Sequence, residues 1–255
     1  MLKIFRKIRQ KLAYENKLSK YLRYAIGEIL LIVIGILIAL QLNNWSESNK
    51  RREKELHYLS NIKTDLILNS EQIDNYITKR NDLIKSANIM LQYFEGKPID
   101  DINAINAHAI NIYTWQRFFQ INNTFQELTN SGNLASITND SIKNTLLELD
   151  SEYKKLKAEE DHFRFDAETL LYKPVYRLLD LNPAVINYTF HVTNGNAGEN
   201  IKLNEEQYKI LLSDLQHKNG FVMAVYEFTV MNNELSHMKE TSEKLINLID
   251  KELAE

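Results

Sequence analysis

The chain has 255 residues, no cysteine, 44% hydrophobic residues and a formal net charge of −3. The absence of cysteine excludes a disulfide framework and a thiolate metal site. The charge is uneven, with +7 over residues 1–23 and −9 over residues 46–255. The acidic charge of residues 46–255, called the body below, argues against nucleic-acid binding by that part of the chain. The basic charge of residues 1–23 suits a segment that lies on an anionic lipid bilayer.

Residues 1–23 have the pattern of a basic amphipathic segment. Lysine and arginine residues separate apolar residues that recur at helical spacing, namely Leu2, Phe5, Ile8 and Leu12. This pattern is typical of a helix that lies on the cytoplasmic face of a membrane before the chain turns into it. A basic tail without fixed structure, which only sets the topology, is the alternative.

Residues 24–45 are predicted to form a transmembrane helix. The unbroken apolar run ILLIVIGILIAL occupies positions 29–40. The whole apolar stretch of about 19 residues spans roughly 28 Å at ~1.5 Å per residue, close to the hydrocarbon thickness of a bilayer. Tyr24 and Trp45 place aromatic side chains at its ends, as the two membrane interfaces favour. A buried core helix would not need these aromatic ends. A cleaved signal peptide does not fit either, because the charged segment before the apolar run is too long.

The basic residues predict the direction of this helix. Eight of them precede the span, whereas four follow it closely, at positions 50–54. The positive-inside rule then places the N-terminus in the cytoplasm and the body outside it. We therefore expect an uncleaved signal anchor in the inner (cytoplasmic) membrane, with a single pass and a periplasmic body.

Three further residues of the anchor are candidates for a specific role in the membrane. Glu28 is the only ionisable residue in the span, and it lies about one turn inside Tyr24, where it can reach the interface. Gly35 and Ala39 form a small-xxx-small step that permits close approach of a second helix. The expected partners are therefore the lipid bilayer, a protein that cannot be identified from the sequence, and a second copy of the chain.

Residues 46–255 are predicted to form a mainly α domain, an antiparallel bundle of long helices. Neither glycine nor proline occurs between residue 46 and Gly96, so the first helix is expected to continue from the anchor to that point. Its apolar stripe, with Asn69 and Arg80 close to it, comprises Leu59, Ile62, Leu66, Ile73, Ile77, Ile84 and Leu91.

Two later stripes predict further long helices, one beginning near Asp140 and one near Gly220. The first stripe, which only Glu160 interrupts, comprises Ile142, Leu146, Leu149, Tyr153, Leu156, Phe163, Ala167 and Leu170. The second stripe comprises Phe221, Ala224, Phe228, Met231, Leu235, Met238, Ser242, Leu245 and Ile249. Such stripes are typical of bundle cores, and a parallel coiled-coil oligomer is the alternative.

Shorter elements are expected between these helices. Helices are predicted at about 99–118, from Thr124 to a turn at 131–133, and at about 204–217. Residues 185–193, VINYTFHVT, are predicted to form a short strand because they are rich in β-branched and aromatic residues.

A carboxylate-bridged metal site is the strongest chemical candidate in the sequence. Two Glu-x-x-His motifs and two separate glutamates have the composition of a ferritin-like di-metal bundle: Glu127, Glu159, His162, Glu206, Glu234 and His237. Both motifs lie one position off their apolar stripe, about 100° around the helix, so their side chains would point away from the core. We therefore predict no metal, no cofactor and no catalytic residue.

Two parts of the sequence resemble a known protein family. The first comprises FRKIRQKL at 5–12 and ENKLSKYLRYAIGEILLIVIGILIALQLNNW at 15–45, and the second is TFQELTNSGNLASITNDSIKNTLLELD at 124–150. They resemble a family of unknown function found in flavobacteria and other Bacteroidota. The resemblance implies a single-pass membrane protein of unknown activity and transfers no functional residue.

Three functions remain compatible with these patterns. The first is a non-enzymatic membrane-anchored envelope protein that acts through protein–protein interaction. The second is an extracytoplasmic ligand-sensing bundle, which would relay its signal to a partner because only about 23 residues precede the membrane helix. The third is a membrane-anchored enzyme, for example one with the carboxylate-bridged metal site.

Overall fold

The computed structural model describes residue 7 and residues 18–254, and the chain divides into two compact units, residues 1–57 and 58–255. Helix α1 runs from Leu18 to Phe94 and includes the boundary between these units. The predicted amphipathic pattern of Leu2, Phe5, Ile8 and Leu12 lies outside the described residues. The predicted domain limits at 23/24 and 45/46 stay predictions.

The N-terminal part of α1 is long and apolar enough to cross a membrane. Every side chain from residue 29 to Trp45 is exposed. A continuous apolar surface of this kind is unfavourable in water and favourable in a bilayer. A Cβ added at Gly35 would meet open space, so the surface for a second helix is free, although dimerisation stays a prediction. The side chain of Tyr24 lies outside the described set.

The body beyond α1 is helical, and no strand occurs in the part of the chain that the structure describes, which confirms the mainly α class. The elements are α2 (Ile102–Tyr113), α3 (Asn123–Asn130), a 3-10 turn (Asn133–Ser136), α4 (Asp140–Asp166), a π-helical segment (Ala167–Tyr172), α5 (Lys173–Leu178), α6 (Leu181–Val192), α7 (Glu205–Ser213) and α8 (Leu215–Leu253).

Helix α8 runs antiparallel to α4 and to the part of α1 after residue 57. Residues later in α8 contact residues that come earlier in α4 and in α1. The contacts that show this are Lys155–Glu234 at 2.7 Å and Glu152–Thr241 at 3.0 Å for α4, and Asn81–Asn232 at 3.0 Å and Asp74–Lys239 at 2.7 Å for α1. The three helices therefore enclose one core, as the predicted bundle requires.

The predicted stripe of α8 is confirmed, since all nine of its positions are buried. Helix α8 begins after Asp214, whose carboxylate accepts a hydrogen bond of 3.0 Å from the backbone N–H of His217. Such a cap satisfies one of the free donors at the start of a helix. Its apolar face then repeats at three and four residues and packs between the other two long helices.

The predicted strand at 185–193 is wrong, because residues 185–192 belong to helix α6 and Thr193 caps its C-terminal end. Asp180 caps this helix, and Pro183 occupies its first turn, where proline is tolerated. Asn187 is fully buried, and its side-chain amide donates to the side chain of Asn103 (2.9 Å) and to the carbonyl of Ile201 (3.0 Å). Capping and tertiary hydrogen bonds therefore override the β propensity of the segment.

Candidate functional site

A buried ion pair joins α1 to α4. The guanidinium of Arg80 donates from Nη2 to Oε1 of Glu160, and each side chain is 2% exposed. Both residues occupy core faces of their helices, which explains why each interrupts an apolar stripe. A buried charge is tolerated only when it is paired and hydrogen-bonded, so each residue requires the other.

Glu160 also fixes the chain segment that follows α2. Helix α2 ends at Tyr113, earlier than the predicted end near residue 118, and the segment then continues without regular structure to α3. The backbone N–H of Phe118 donates to Oε1 of Glu160 at 2.8 Å. Farther along, the Asn69 side chain exchanges two hydrogen bonds of 2.7 Å with the backbone of Ile121. The two polar interruptions of the α1 stripe therefore serve to hold this segment.

The guanidinium of Arg80 is only partly satisfied. Its Nε and Nη1 are buried and have no hydrogen-bond partner, and its Cζ lies 5.9 Å from the ring centroid of Tyr76. Burial lowers the pKa of Arg80 from its ordinary value, and the Glu160 carboxylate opposes this shift. Each unsatisfied buried donor costs about 1–3 kcal/mol. An acceptor that reached these nitrogens would remove that cost.

The electrostatics of Glu160 follow from the same burial. Desolvation raises the pKa of its carboxyl, while the hydrogen bond from the Phe118 N–H and the charge of Arg80 act in the opposite direction. One carboxylate oxygen of Glu160 thus accepts both the Arg80 and the Phe118 hydrogen bonds. The Nε and Nη1 groups of Arg80 therefore donate no hydrogen bond to Glu160.

Arg80 lies in the wall of a cleft of about 440 Å³. This volume falls within the range of about 300–1,000 Å³ that is typical of small-molecule sites. The lining comes from α1, from α2 with the segment after it, and from α6: Tyr76, Lys79, Arg80, Asp82, Leu83, Asn111, Thr114, Trp115, Gln116 and Tyr188. The cleft therefore combines two cationic groups, the Asp82 carboxylate, amide groups and aromatic rings around one opening.

Hydrogen bonds hold two of the aromatic walls in place. The indole N–H of Trp115 donates to the hydroxyl of Tyr172 at 3.2 Å, and that hydroxyl donates to the carbonyl of Tyr113 at 3.2 Å. The hydroxyl of Tyr188 donates to the side-chain oxygen of Asn111 at 2.9 Å. Side chains that are already ordered lose less entropy when a ligand binds, so the cleft is preorganised.

A second polar cluster joins α4 to α8 at a different place. His162 and Asp166 lie one helical turn apart on α4, and Glu227 faces them from α8. One ligand atom from each residue lies within 4.8 Å of the other two, and Nδ1 of His162 is 3.2 Å from Oε1 of Glu227. Burial is the main cause that raises the pKa of Glu227 to about 7; His162 acts in the opposite direction, and the neighbouring Asp166 acts with burial.

The six residues weighed as di-metal ligands, against which the helix faces argue, do not form one cluster in the described part of the chain. Glu127 accepts from the Tyr58 hydroxyl at 3.0 Å, Glu234 binds Lys155, and Glu206 binds Lys209. His237 lies 3.6 Å from Glu152 with its side chain 74% exposed, and Glu159 is half-buried. Among the described residues, His162 is the one member of the six that belongs to a cluster of three potential metal ligands, with Asp166 and Glu227.

The sequence interpretation missed most of both sites. The sequence pattern shows Arg80 only as a polar residue near one stripe and Glu160 only as an interruption of another, and it singles out neither Asp166 nor Glu227. The available signal was local: Glu227 directly precedes the stripe residue Phe228, and Asp166 lies four residues after His162. No sequence pattern predicts that Asp166 and Glu227 face each other from two different helices.

Comparison with protein-family models finds a match over residues 28–162 to a family of unknown function, DUF6090. Comparison with curated proteins and with solved structures finds no match. The matched range contains Arg80, Glu160 and His162, but Glu227 lies beyond its end.

Proposed function

Because the chain belongs to DUF6090, a family of unknown function, membership assigns no activity, and we propose a function from the geometry of the body. We propose a membrane-anchored, non-enzymatic protein whose helical body binds a small anionic ligand in the cleft beside Arg80. The observation that carries this proposal is that Arg80, whose guanidinium has two buried nitrogens without a partner, is one of the residues that line a preorganised cleft of about 440 Å³.

The lining of the cleft defines the class of ligand. A guanidinium presents a planar set of donors that matches a carboxylate or a phosphate, and its hydrogen bonds strengthen away from water. Lys79 adds a second positive charge, and it is exposed on the same helix. Tyr76, Trp115 and Tyr188 offer ring surfaces to a flat apolar group. The expected ligand is therefore a small carboxylate or phosphate with an aromatic or apolar part.

The proposed location follows from the sequence of α1. The apolar part of this helix anchors the protein in the inner membrane, with the N-terminus in the cytoplasm and the body in the periplasm. The support for this orientation is the excess of basic residues before the span. The same helix carries Arg80, so ligand binding acts on the element that enters the membrane.

Arg80→Lys is expected to weaken ligand binding at least about tenfold, because lysine keeps the charge beside Glu160 but lacks the planar donors of the guanidinium. The measurement is calorimetric titration of the full-length protein in detergent with phenylacetate and phenylphosphate. Phenylacetamide serves as the neutral comparison and should not bind. Lys154→Met is the control, since Lys154 is 72% exposed on α4 and neither Lys154 nor its partner Asp150 lines the cleft.

Two results of this titration would count against the proposal. If neither anion binds the wild-type protein, the cleft is not an anion site. If phenylacetamide binds as tightly as phenylacetate, or Arg80→Lys binds as tightly as Lys154→Met, Arg80 is not the recognition group.

Protein–protein interaction is a second candidate function, and exposed apolar side chains of the body favour it. Five large side chains are between 64% and 69% exposed, namely Phe119, Phe165, Tyr176, Leu215 and Tyr226. Aromatic residues are enriched at protein interfaces. Mild crosslinking of the full chain in membranes should give a product of defined mass that Phe165→Ser with Tyr226→Ser reduces. A product unchanged by these substitutions would mean that Phe165 and Tyr226 do not form the interface. A product of twice the chain mass would identify a second copy of the chain as the partner.

A further inference from the structure

The His162, Asp166 and Glu227 cluster has the composition and spacing of a metal-binding group. Its three potential ligands are one imidazole nitrogen and two carboxylate oxygens, all within 4.8 Å of one another. Ligand atoms around one zinc ion at ~2.0–2.2 Å are separated by roughly 3.4 Å, so a modest contraction brings the three together. The His162 side chain is 61% exposed and is therefore free to adjust.

Glu227 supplies an independent reason to expect a ligand here. It is 3% exposed, and its Oε2 has no hydrogen-bond partner. Two groups of α4 face the Glu227 carboxyl. Nδ1 of His162 lies within hydrogen-bond distance of its Oε1, and Asp166 is a second carboxyl beside it. A buried carboxylate beside a second carboxylate is unfavourable unless a cation or a proton neutralises the pair. A divalent cation would neutralise both and use the free oxygen.

The backbone at the end of α4 is unusual at the same place. Asp166 is the last residue of α4, and the π-helical segment Ala167–Tyr172 begins directly after it. Short π-helical segments inside helices are uncommon and are frequent at functional sites. The segment places Leu171 against Gly220 of α8, where a Cβ would lie 2.5 Å from the Leu171 side chain. The approach of α4 to α8 is therefore unusually close just beyond the cluster.

We propose that His162, Asp166 and Glu227 bind a divalent first-row transition-metal ion that joins α4 to α8. One nitrogen and two oxygen ligands suit zinc, manganese or iron(II) better than calcium or magnesium, which prefer oxygen alone. Water completes the coordination on the exposed side of His162. This site shares no residue with the cleft beside Arg80, so it stands or falls separately from the proposed ligand binding.

The test uses full-length protein purified in detergent without a histidine tag and treated with a chelator. Zinc chloride is then titrated by calorimetry into wild type, His162→Gln, Glu227→Gln and His237→Gln. We expect one zinc ion per chain in the wild type and an affinity at least about tenfold weaker in the first two variants, since each removes a ligand. His237→Gln is the matched control, because His237 also lies beside one glutamate, Glu152, but outside the cluster of three.

A second measurement separates metal binding from a folding defect. Zinc should raise the midpoint of thermal unfolding of the wild type and of His237→Gln, because a ligand that binds the folded state stabilises it. The midpoint of His162→Gln should not rise, although without metal it should unfold like the wild type, since the replaced side chain is largely exposed. Absence of one-to-one binding in the wild type overturns the proposal, as does unchanged affinity in His162→Gln. Equal loss in His237→Gln would also overturn it.

Discussion

Glu160→Met is expected to lower the free energy of unfolding of the body by about 3–5 kcal/mol, the cost typical of removing one partner of a buried ion pair. The substitution leaves the Arg80 guanidinium buried without a counter-charge, and it removes the acceptor of the Phe118 N–H. Chemical unfolding of the full-length protein in detergent, followed by circular dichroism, measures the effect. Asp161→Asn is the matched control, because the neighbouring Asp161 pairs with Arg117 at the surface and should contribute little.

The double variant Arg80→Met with Glu160→Met identifies the cause of this loss. Two apolar side chains in place of a buried pair restore the uncharged core, so most of the stability should return. A deficit of about 1–3 kcal/mol should remain, because the Phe118 N–H still lacks its acceptor. A double variant no more stable than Glu160→Met would mean that the unpaired charge of Arg80 is not the cause. If Glu160→Met is as stable as Asp161→Asn, the Arg80–Glu160 pair does not contribute to the stability of the core.

The long helices were predictable because a period of 3.6 residues reports burial on one side. All nine predicted positions of α8 are buried. In α4 the periodicity predicted Leu170 as the next core position, whereas Leu171 is the residue that is fully buried. The π-helical segment inserts an extra residue per turn and moves the core face by one position. No local pattern predicts such a segment, because it depends on how α4 meets α8 at Gly220.

The candidate sites were harder to predict for a physical reason. Arg80 and Glu160 are 80 positions apart, and each alone reads as a defect in a stripe. Pairing across a bundle depends on the relative rotation and height of two helices, which the period of either helix does not contain. Glu227 presents the same difficulty, since its partner His162 lies 65 positions away on another helix. The sequence therefore marks Arg80 and Glu160 as polar residues on apolar faces, whereas the fold decides which partners these residues and Glu227 meet.

Phe163 links the stability of the core to the shape of the cleft. Its ring is fully buried and lies 4.6 Å from the Phe228 ring and 4.8 Å from the Trp115 ring, measured between centroids. Trp115 lines the cleft, so the packing beneath it helps to set the position of one wall. The contact with Phe228 ties the same ring to α8.

Phe163→Ala is therefore expected to have two effects. It should lower the free energy of unfolding by about 3–5 kcal/mol, because it removes a buried ring and leaves a cavity. It should also weaken binding of phenylacetate, since Trp115 loses the ring that supports it. Phe165→Ala is the matched control: Phe165 lies two residues away on the same helix but is 66% exposed, so its change should stay within about 0.5 kcal/mol. If Phe163→Ala loses stability while the affinity for phenylacetate is unchanged, the Trp115 wall takes no part in binding, and recognition rests on Arg80 and its neighbours on α1 alone.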